Sequence, residues 1–236
     1  MVSMIPDGPS LLAVPFQRAD PAPIELLSKT QRAQLLRHAA VRSLAARAVI
    51  YTAGAEARSV FIIGDGAVKS FRDLPSGRRR IATFLFARDV FGLAEAGRYV
   101  NTTQAIVPVL LYEIEMTALT VLFKQDAHLE LQFLCKAVHV LRESQHHNII
   151  IGRRDAVGRL AMFVALLLRQ GGAPRGRAEV DIPMTRSDIA NYLGLSLEAV
   201  VRASRRLELQ GIVEFVGRHQ ARILDRRRFD ALVADV

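Results

Sequence analysis

The chain has 236 residues, 50% of them hydrophobic, and a formal net charge of +9; this suffices for two modest domains and suits a polyanionic partner such as nucleic acid. No apolar run reaches the roughly 18 residues of a membrane-spanning helix, and the first residues lack the basic start and apolar centre of a signal peptide. The single cysteine, Cys135, excludes an internal disulfide and a cysteine-ligated metal cluster, so we expect a cytoplasmic protein without a membrane partner.

The first 115 residues predict a loose arm followed by a small β domain. Residues 1–20 carry prolines without periodicity, and a short helix is expected over residues 23–36. From about residue 43 to residue 114, short apolar runs alternate with turn signals, which is typical of an antiparallel sandwich or roll. The predicted strand cores are residues 48–51, 60–63, 67–71, 81–85 and 109–112.

Residues 116–151 predict one long helix that mediates dimerisation. Side chains that repeat at alternating spacings of 3 and 4 form the pattern of a coiled-coil seam. These residues are Leu131, Leu134, Val138, Leu141, Gln145 and Asn148. The polar pair at the end would fix the register of a two-fold dimer. The alternative is an amphipathic helix that packs only against its own domain.

The segment 185–209 predicts two short helices joined by a tight turn. Thr185 and Asp188 form a capping box at the start of the first helix, and Gly194 accommodates the turn after it. Ser196 caps the second helix, and Ala190 is small enough to lie where the helices cross. The pattern indicates a helix-turn-helix, and the alternating segment that follows, residues 211–225, predicts a two-stranded wing.

The second of these helices has two different faces. Its inner face carries Val200, Ala203, Ser204 and Leu207 at helical spacing. The outer face is predicted to read DNA bases and consists of Leu197, Glu198, Val201, Arg202 and Arg205. A glutamate can accept from cytosine N4, an arginine can donate to guanine O6 and N7, and a valine can contact a thymine methyl group. The alternative is a solvated face stabilised by the Glu198–Arg202 pair.

Phosphate contacts are expected around these helices, where they would position the protein without specifying sequence. The candidates are Arg186, Ser187, Arg206 and Arg218.

The sequence resembles the Crp/Fnr superfamily, in particular its FixK-like and Fnr-like branches. The likeness is sharpest in IGRRDAVGRLAMFVALLLRQ, IPMTRSDIANYLGLSLEAVVRASRRLE and GDGAVKSFRDLPSGRRRIATFLFARDVFG. It implies an α+β fold with an N-terminal antiparallel β-roll like a cyclic-nucleotide-binding domain, a long dimerisation helix and a C-terminal winged helix-turn-helix. The corresponding divisions are an arm over 1–20, a roll over 21–115, a dimer helix over 116–151 and a DNA-binding domain over 152–236.

The resemblance further implies a transcription regulator that binds double-stranded DNA as a homodimer and contacts RNA polymerase. Glu198 and Arg202 fall where the family reads a C·G pair of a palindromic TTGA-like site. Ala199 and Val201 stand where the Fnr-type pattern has Thr and Ser, which changes the expectation for the outer bases.

The sensory half departs from the cyclic-AMP-binding members. Leu93 stands where they have a ribose-binding Glu, and Tyr99 and Val100 stand where they have the phosphate-binding Arg-Ser pair. Arg98 is one residue off, and one step along a strand points a side chain to the opposite face. We therefore expect a regulator that acts without cyclic AMP and holds no cofactor.

The alternative is a ligand-gated regulator of the same fold, controlled by a cyclic nucleotide, by haem and nitric oxide, or by redox state. A haem would need His146 or His147, both of which are expected to be solvated, and Cys135 is expected to be a buried, inert thiol. No set of nucleophile, base and acid indicates an enzyme.

Overall fold

The computed structural model describes residues 29–94, 96–153, 155–170 and 178–234. The predicted arm and the start of the first predicted helix lie outside these residues. That helix, α1, is described over Lys29–Arg37.

The N-terminal domain is the predicted antiparallel roll. Its strands are β1 (Ala39–Leu44), β2 (Val49–Tyr51), β3 (Ser59–Asp65), β4 (Ala67–Asp73), β5 (Arg79–Phe86), β6 (Val90–Phe91), β7 (Thr102–Ala105) and β8 (Val109–Glu115). They form two four-stranded sheets with the orders β1-β8-β3-β6 and β2-β7-β4-β5. Each of the five predicted strand cores overlaps an observed strand, whereas β1, β6 and β7 were not predicted as strands.

Strand β3 is buried on both faces, because one face packs against the other sheet of the roll and the opposite face packs against helices. Along β3, Phe61 and Ile63 point into the space between the sheets, while Val60 and Ile62 pack against helices. Such a strand is a continuous apolar run rather than an alternating one. On β5, the buried Phe84 belongs to the hydrophobic core of the C-terminal domain instead, so the two domains share a packed interface.

The predicted long helix is present, but the first part of the range predicted for it, residues 116–151, forms a separate short helix. Helix α2 spans Met116–Gln125 and α3 spans Ala127–Gly152. The break lies at Asp126, whose carboxylate accepts a hydrogen bond from the backbone N–H of Leu129 at 3.1 Å. An aspartate in this position satisfies an N–H that has no partner within the helix, so a new helix begins there.

The C-terminal domain contains α4 (Ala156–Gln170), β9 (Glu179–Asp181), α5 (Arg186–Leu193), α6 (Leu197–Leu209), β10 (Val213–Val216), β11 (Gln220–Ile223) and α7 (Arg226–Ala234). The predicted two-stranded wing is part of a three-stranded sheet, because β9 pairs with β11. In the part of the chain that the structure describes, no helix has the length and apolar character needed to cross a membrane.

Candidate nucleic-acid interface

The two helices α5 and α6 begin and end at the residues that the sequence indicated. The hydroxyl of Thr185 accepts from the backbone N–H of Asp188 at 3.1 Å, and donates to that residue's carboxylate at 2.9 Å. Gly194 ends α5 with a φ of 64°, a left-handed conformation that costs glycine little. Ser196 then accepts from the N–H of Ala199 at 3.1 Å. The turn between the helices is therefore fixed by local chemistry.

The faces of α6 are divided as predicted. Its buried residues are Val200, Ala203, Ser204 and Leu207. On the outer face, Leu197 is 49% exposed and Val201 is 51% exposed, although apolar side chains of this size are usually covered. Glu198, Arg202 and Arg205 are exposed beside them. All five candidate base-reading residues thus project from one side of the helix.

Glu198 and Arg202 also form the intrahelical pair that the alternative interpretation requires. The Arg202 Nη1 and Glu198 Oε2 atoms are 3.6 Å apart, and the two side chains are 73% and 85% exposed. An exposed pair of this kind contributes between nothing and about 1 kcal/mol. Such a pair can be exchanged for contacts to a base pair at little cost, so its presence does not oppose base reading.

Three of the four predicted phosphate contacts are exposed in the structure. Ser187 is exposed in the first turn of α5, Arg206 in the last turn of α6, and Arg218 in the turn between β10 and β11. Arg186 is placed differently.

Arg186 is committed to the interior of the helix-turn-helix. It donates to the Ser204 hydroxyl at 2.8 Å, and its guanidinium lies 4.6 Å from the centre of the Phe215 ring. Burial lowers the pKa of Arg186, with an opposing contribution from Glu208. Because Arg186 ties α5 to α6 and to the wing, this geometry disfavours its predicted contact with phosphate.

The seam predicted on α3 is not covered by any of the residues that the structure describes. Leu134, Val138 and Leu141 are 60%, 60% and 59% exposed, and Gln145 and Asn148 are exposed further along, while Leu131 is half-buried. Packing among the described residues of the chain therefore does not account for this face.

The two adjacent histidines of α3 have different surroundings. His146 is exposed as expected, whereas His147 is buried, which the sequence analysis got wrong. The His147 ring stacks parallel to Tyr192 with centroids 4.0 Å apart, and its Nε2 lies 2.7 Å from the Tyr192 carbonyl oxygen. Burial lowers the pKa of His147, Arg80 acts in the same direction, and the hydrogen bond opposes them. With its ring covered and Nε2 engaged, His147 does not fit the role of a haem ligand.

Cys135 is half-buried on the same helix, and so is less enclosed than the inert thiol that was expected.

The interior of the roll is filled by aromatic side chains. Tyr99 stacks on Tyr51 with centroids 3.7 Å apart, and its hydroxyl donates to the Ser59 carbonyl oxygen at 2.8 Å. Leu93 is 44% exposed, and Arg98 donates to the Gly54 carbonyl oxygen at 2.8 Å. These residues do not fit a cyclic nucleotide, because they supply neither the carboxylate for its ribose nor a free guanidinium for its phosphate.

Family models match both halves of the chain. The model described as a cyclic nucleotide-binding domain matches residues 41–126, and the one described as a Crp-like helix-turn-helix domain matches residues 158–232. The nitrogen fixation regulation protein FixK of Rhizobium meliloti (strain 1021) is 31% identical over 185 residues, which cover 78% of this chain and 81% of that protein. The chain belongs to the Crp/Fnr family.

Other comparisons place this Crp/Fnr regulator near FixK. The transcriptional activatory protein AadR of Rhodopseudomonas palustris is 31% identical over 182 residues, 75% of this chain and 74% of that protein. The structure of FixK2 from Bradyrhizobium japonicum covers 84% of this chain and 98% of its own, with a TM-score of 0.78 and 30% identity. The protein is thus a FixK-like transcription regulator with a DNA-binding helix-turn-helix.

Proposed function

We propose that this Crp/Fnr regulator binds as a homodimer to a palindromic, TTGA-like DNA site. The observation that carries the proposal is the outer face of α6, where acidic, apolar and basic side chains are exposed together although their neighbours on the same helix are buried. In the proposed complex, Arg202 donates to a guanine and Glu198 accepts from the paired cytosine of each half-site.

The dimer part of the proposal is supported by the exposed seam on α3. Two chains related by a two-fold axis along this seam would cover Leu134, Val138 and Leu141 on both copies. Their recognition helices would then enter successive major grooves, about 34–36 Å apart. A palindromic site follows from that symmetry.

Regulation is proposed to occur without cyclic AMP, haem or another cofactor, and without catalysis. The aromatic filling of the roll supports the statement on cyclic AMP, and the engagement of His147 supports the statement on haem. Contact with RNA polymerase belongs to the same proposal and rests on the resemblance to the family.

The test is selection of bound sites from random DNA with the purified full-length protein, followed by fluorescence anisotropy with two variants. Arg202→Ala should weaken binding to the selected site by about 1–3 kcal/mol and relax preference at one base pair per half-site. Arg218→Ala is the matched control, because loss of a phosphate contact weakens binding to all sequences alike and lowers the salt dependence. Equal losses on selected and random DNA for Arg202→Ala would refute the base-reading role.

The same purified protein tests the cofactor statement. Its absorbance spectrum should show no haem band, and cyclic AMP should leave operator affinity unchanged. A bound chromophore, or a shift in affinity on adding the nucleotide, would contradict it.

A further inference from the structure

Helix α5 is attached to the roll by an ion pair that crosses between the domains. The Nζ atom of Lys69, on β4, lies 2.6 Å from a carboxylate oxygen of Asp188, on α5. The two side chains are only 13% and 10% exposed. Exposed ion pairs contribute little, but removing one partner of a desolvated pair leaves an uncompensated charge and is strongly destabilising. This contact therefore restrains the two domains relative to each other.

The carboxylate in this pair is held in a fixed place on α5. One oxygen of Asp188 accepts from Lys69, and the other accepts from the Thr185 hydroxyl at 2.9 Å. The same hydroxyl caps the first turn by accepting from the N–H of Asp188. Because the capping box anchors the carboxylate to the helix backbone, Lys69 holds the N-terminal end of α5 and not merely a mobile side chain.

The C-terminal end of α5 is also held from outside the helix-turn-helix. The Tyr192 ring lies 5.1 Å from that of Phe84 on β5, 5.6 Å from that of Phe163 on α4, and 4.0 Å from that of His147 on α3. The roll, α3 and α4 thus all contact the side chain of Tyr192 on α5.

The side chain of a second basic residue, Arg159, connects that end of α5 to the end of α3. Arg159, in the first turn of α4, donates to the Leu193 carbonyl oxygen at 3.0 Å and to the Arg153 carbonyl oxygen at 2.6 Å. Leu193 is the last residue of α5, and Arg153 caps α3. Since α5 packs across α6, a restraint on both ends of α5 fixes the direction of α6.

None of these contacts covers the outer face of α6, whose base-reading residues remain exposed. We infer that Lys69 is a positioning residue for DNA recognition: through Asp188 it sets the orientation of the recognition helix relative to the roll, and so the distance between the two reading helices of a dimer. The Lys69–Asp188 contact leaves the outer face of α6 exposed.

This inference rests on the proposed DNA binding by a dimer, but it makes a prediction about half-site spacing that the binding proposal alone does not make. Base contacts decide which half-site sequence is preferred, whereas a restraint on orientation decides which spacing between half-sites is preferred. Loss of Lys69 should therefore change spacing preference without changing base preference.

The experiment uses the full-length chain with Lys69→Met, Asp188→Asn and the double variant. Asparagine keeps an acceptor for the Thr185 hydroxyl, so the cap survives while the charge is removed. Arg226→Met is the matched control, because it breaks an ion pair of similar length, 2.9 Å to Asp230, that is exposed on α7. Each protein is titrated against operators with the selected spacing and with one base pair inserted or removed.

We expect Lys69→Met and Asp188→Asn each to weaken binding at the selected spacing by about tenfold and to flatten the dependence on spacing. The double variant should be no worse than either single one, since both remove the same pair. Arg226→Met should behave as the parent. An unchanged spacing preference for Lys69→Met, or a changed base preference, would overturn the inference.

A measurement without DNA keeps the inference testable if no specific site is selected. Spin labels at Ser76→Cys on the roll and Leu209→Cys on α6, in a Cys135→Ser background diluted with unlabelled protein, report the distance between domains within one chain. We expect one narrow distance distribution for the parent and a broadened one for Lys69→Met. Identical distributions would refute the positioning role, whatever DNA the protein binds.

Discussion

Replacing Val138 with alanine should weaken the dimer far more than the same replacement two residues further along α3. Val138 is 60% exposed on the seam, whereas Val140 is 48% exposed and lies off it. The change removes two carbons, each contributing about 0.8 kcal/mol when fully buried. With about three fifths of the side chain available to be covered by a partner, the loss is about 1 kcal/mol per copy and about 2 kcal/mol per dimer.

A loss of this size raises the dimer dissociation constant about 25-fold. Sedimentation equilibrium over a range of protein concentrations measures the constant directly. Val140→Ala is the control because both substitutions raise helix propensity by the same amount, so any difference between them comes from the interface. Equal dissociation constants for the two variants would refute the seam as the dimer contact, and a monomeric parent would refute the dimer itself.

Three further predictions concern the site and its supports. Ser196→Ala should lower the free energy of unfolding by about 1 kcal/mol through loss of the cap of α6, measured by urea unfolding followed by circular dichroism; Ser196→Asp should retain the parent value, and equal losses for both would contradict the capping role. Gly194→Ala should cost about 1 kcal/mol in the same assay because its φ of 64° is strained for any residue with a Cβ, while Gly194→Asn should cost less; a neutral Gly194→Ala would contradict this. Burial holds the pKa of His147 below 6.5 in the folded protein, so the unfolded chain binds the proton more tightly and stability falls as pH drops below 6.5. The melting temperature of His147→Gln should therefore vary less with pH than that of the parent, and parallel curves would refute it.

Local signals predicted the helix-turn-helix closely because its elements depend on neighbours in sequence. Thr185, Gly194 and Ser196 act on backbone groups within a few residues, so their identity alone sets where α5 and α6 begin and end. The inner face of α6 follows from helical spacing in the same way. The longer strands of the roll were also predicted, because β3 and β5 each contain a run of apolar residues that is typical of a strand and not of a turn.

The parts that the sequence analysis missed depend on distant partners or on very short elements. Strands β6 and β9 have two and three residues, which is too few for any periodic pattern, and each exists because a longer strand offers its edge. Asp126 ends one helix and caps the next without interrupting the apolar pattern around it. The burial of His147 could not be predicted from the sequence, because its partner Tyr192 lies 45 residues away along the chain.

The buried and the exposed residues of the helix-turn-helix have different roles, so substitutions at the two kinds of position are expected to have different effects. Of the eight residues of α5, five are buried, whereas only four of the thirteen residues of α6 are. Helix α5 packs against the roll and α3, so substitutions there act on folding and orientation, while the inner face of α6 packs against α4. The outer face of α6 contributes almost nothing to the folded core, since its side chains are exposed before DNA arrives. If this face reads bases as proposed, substitutions at Glu198, Val201 or Arg202 should alter the preferred DNA sequence at little cost in stability. Base preference could then change while the packing that orients α6 is retained.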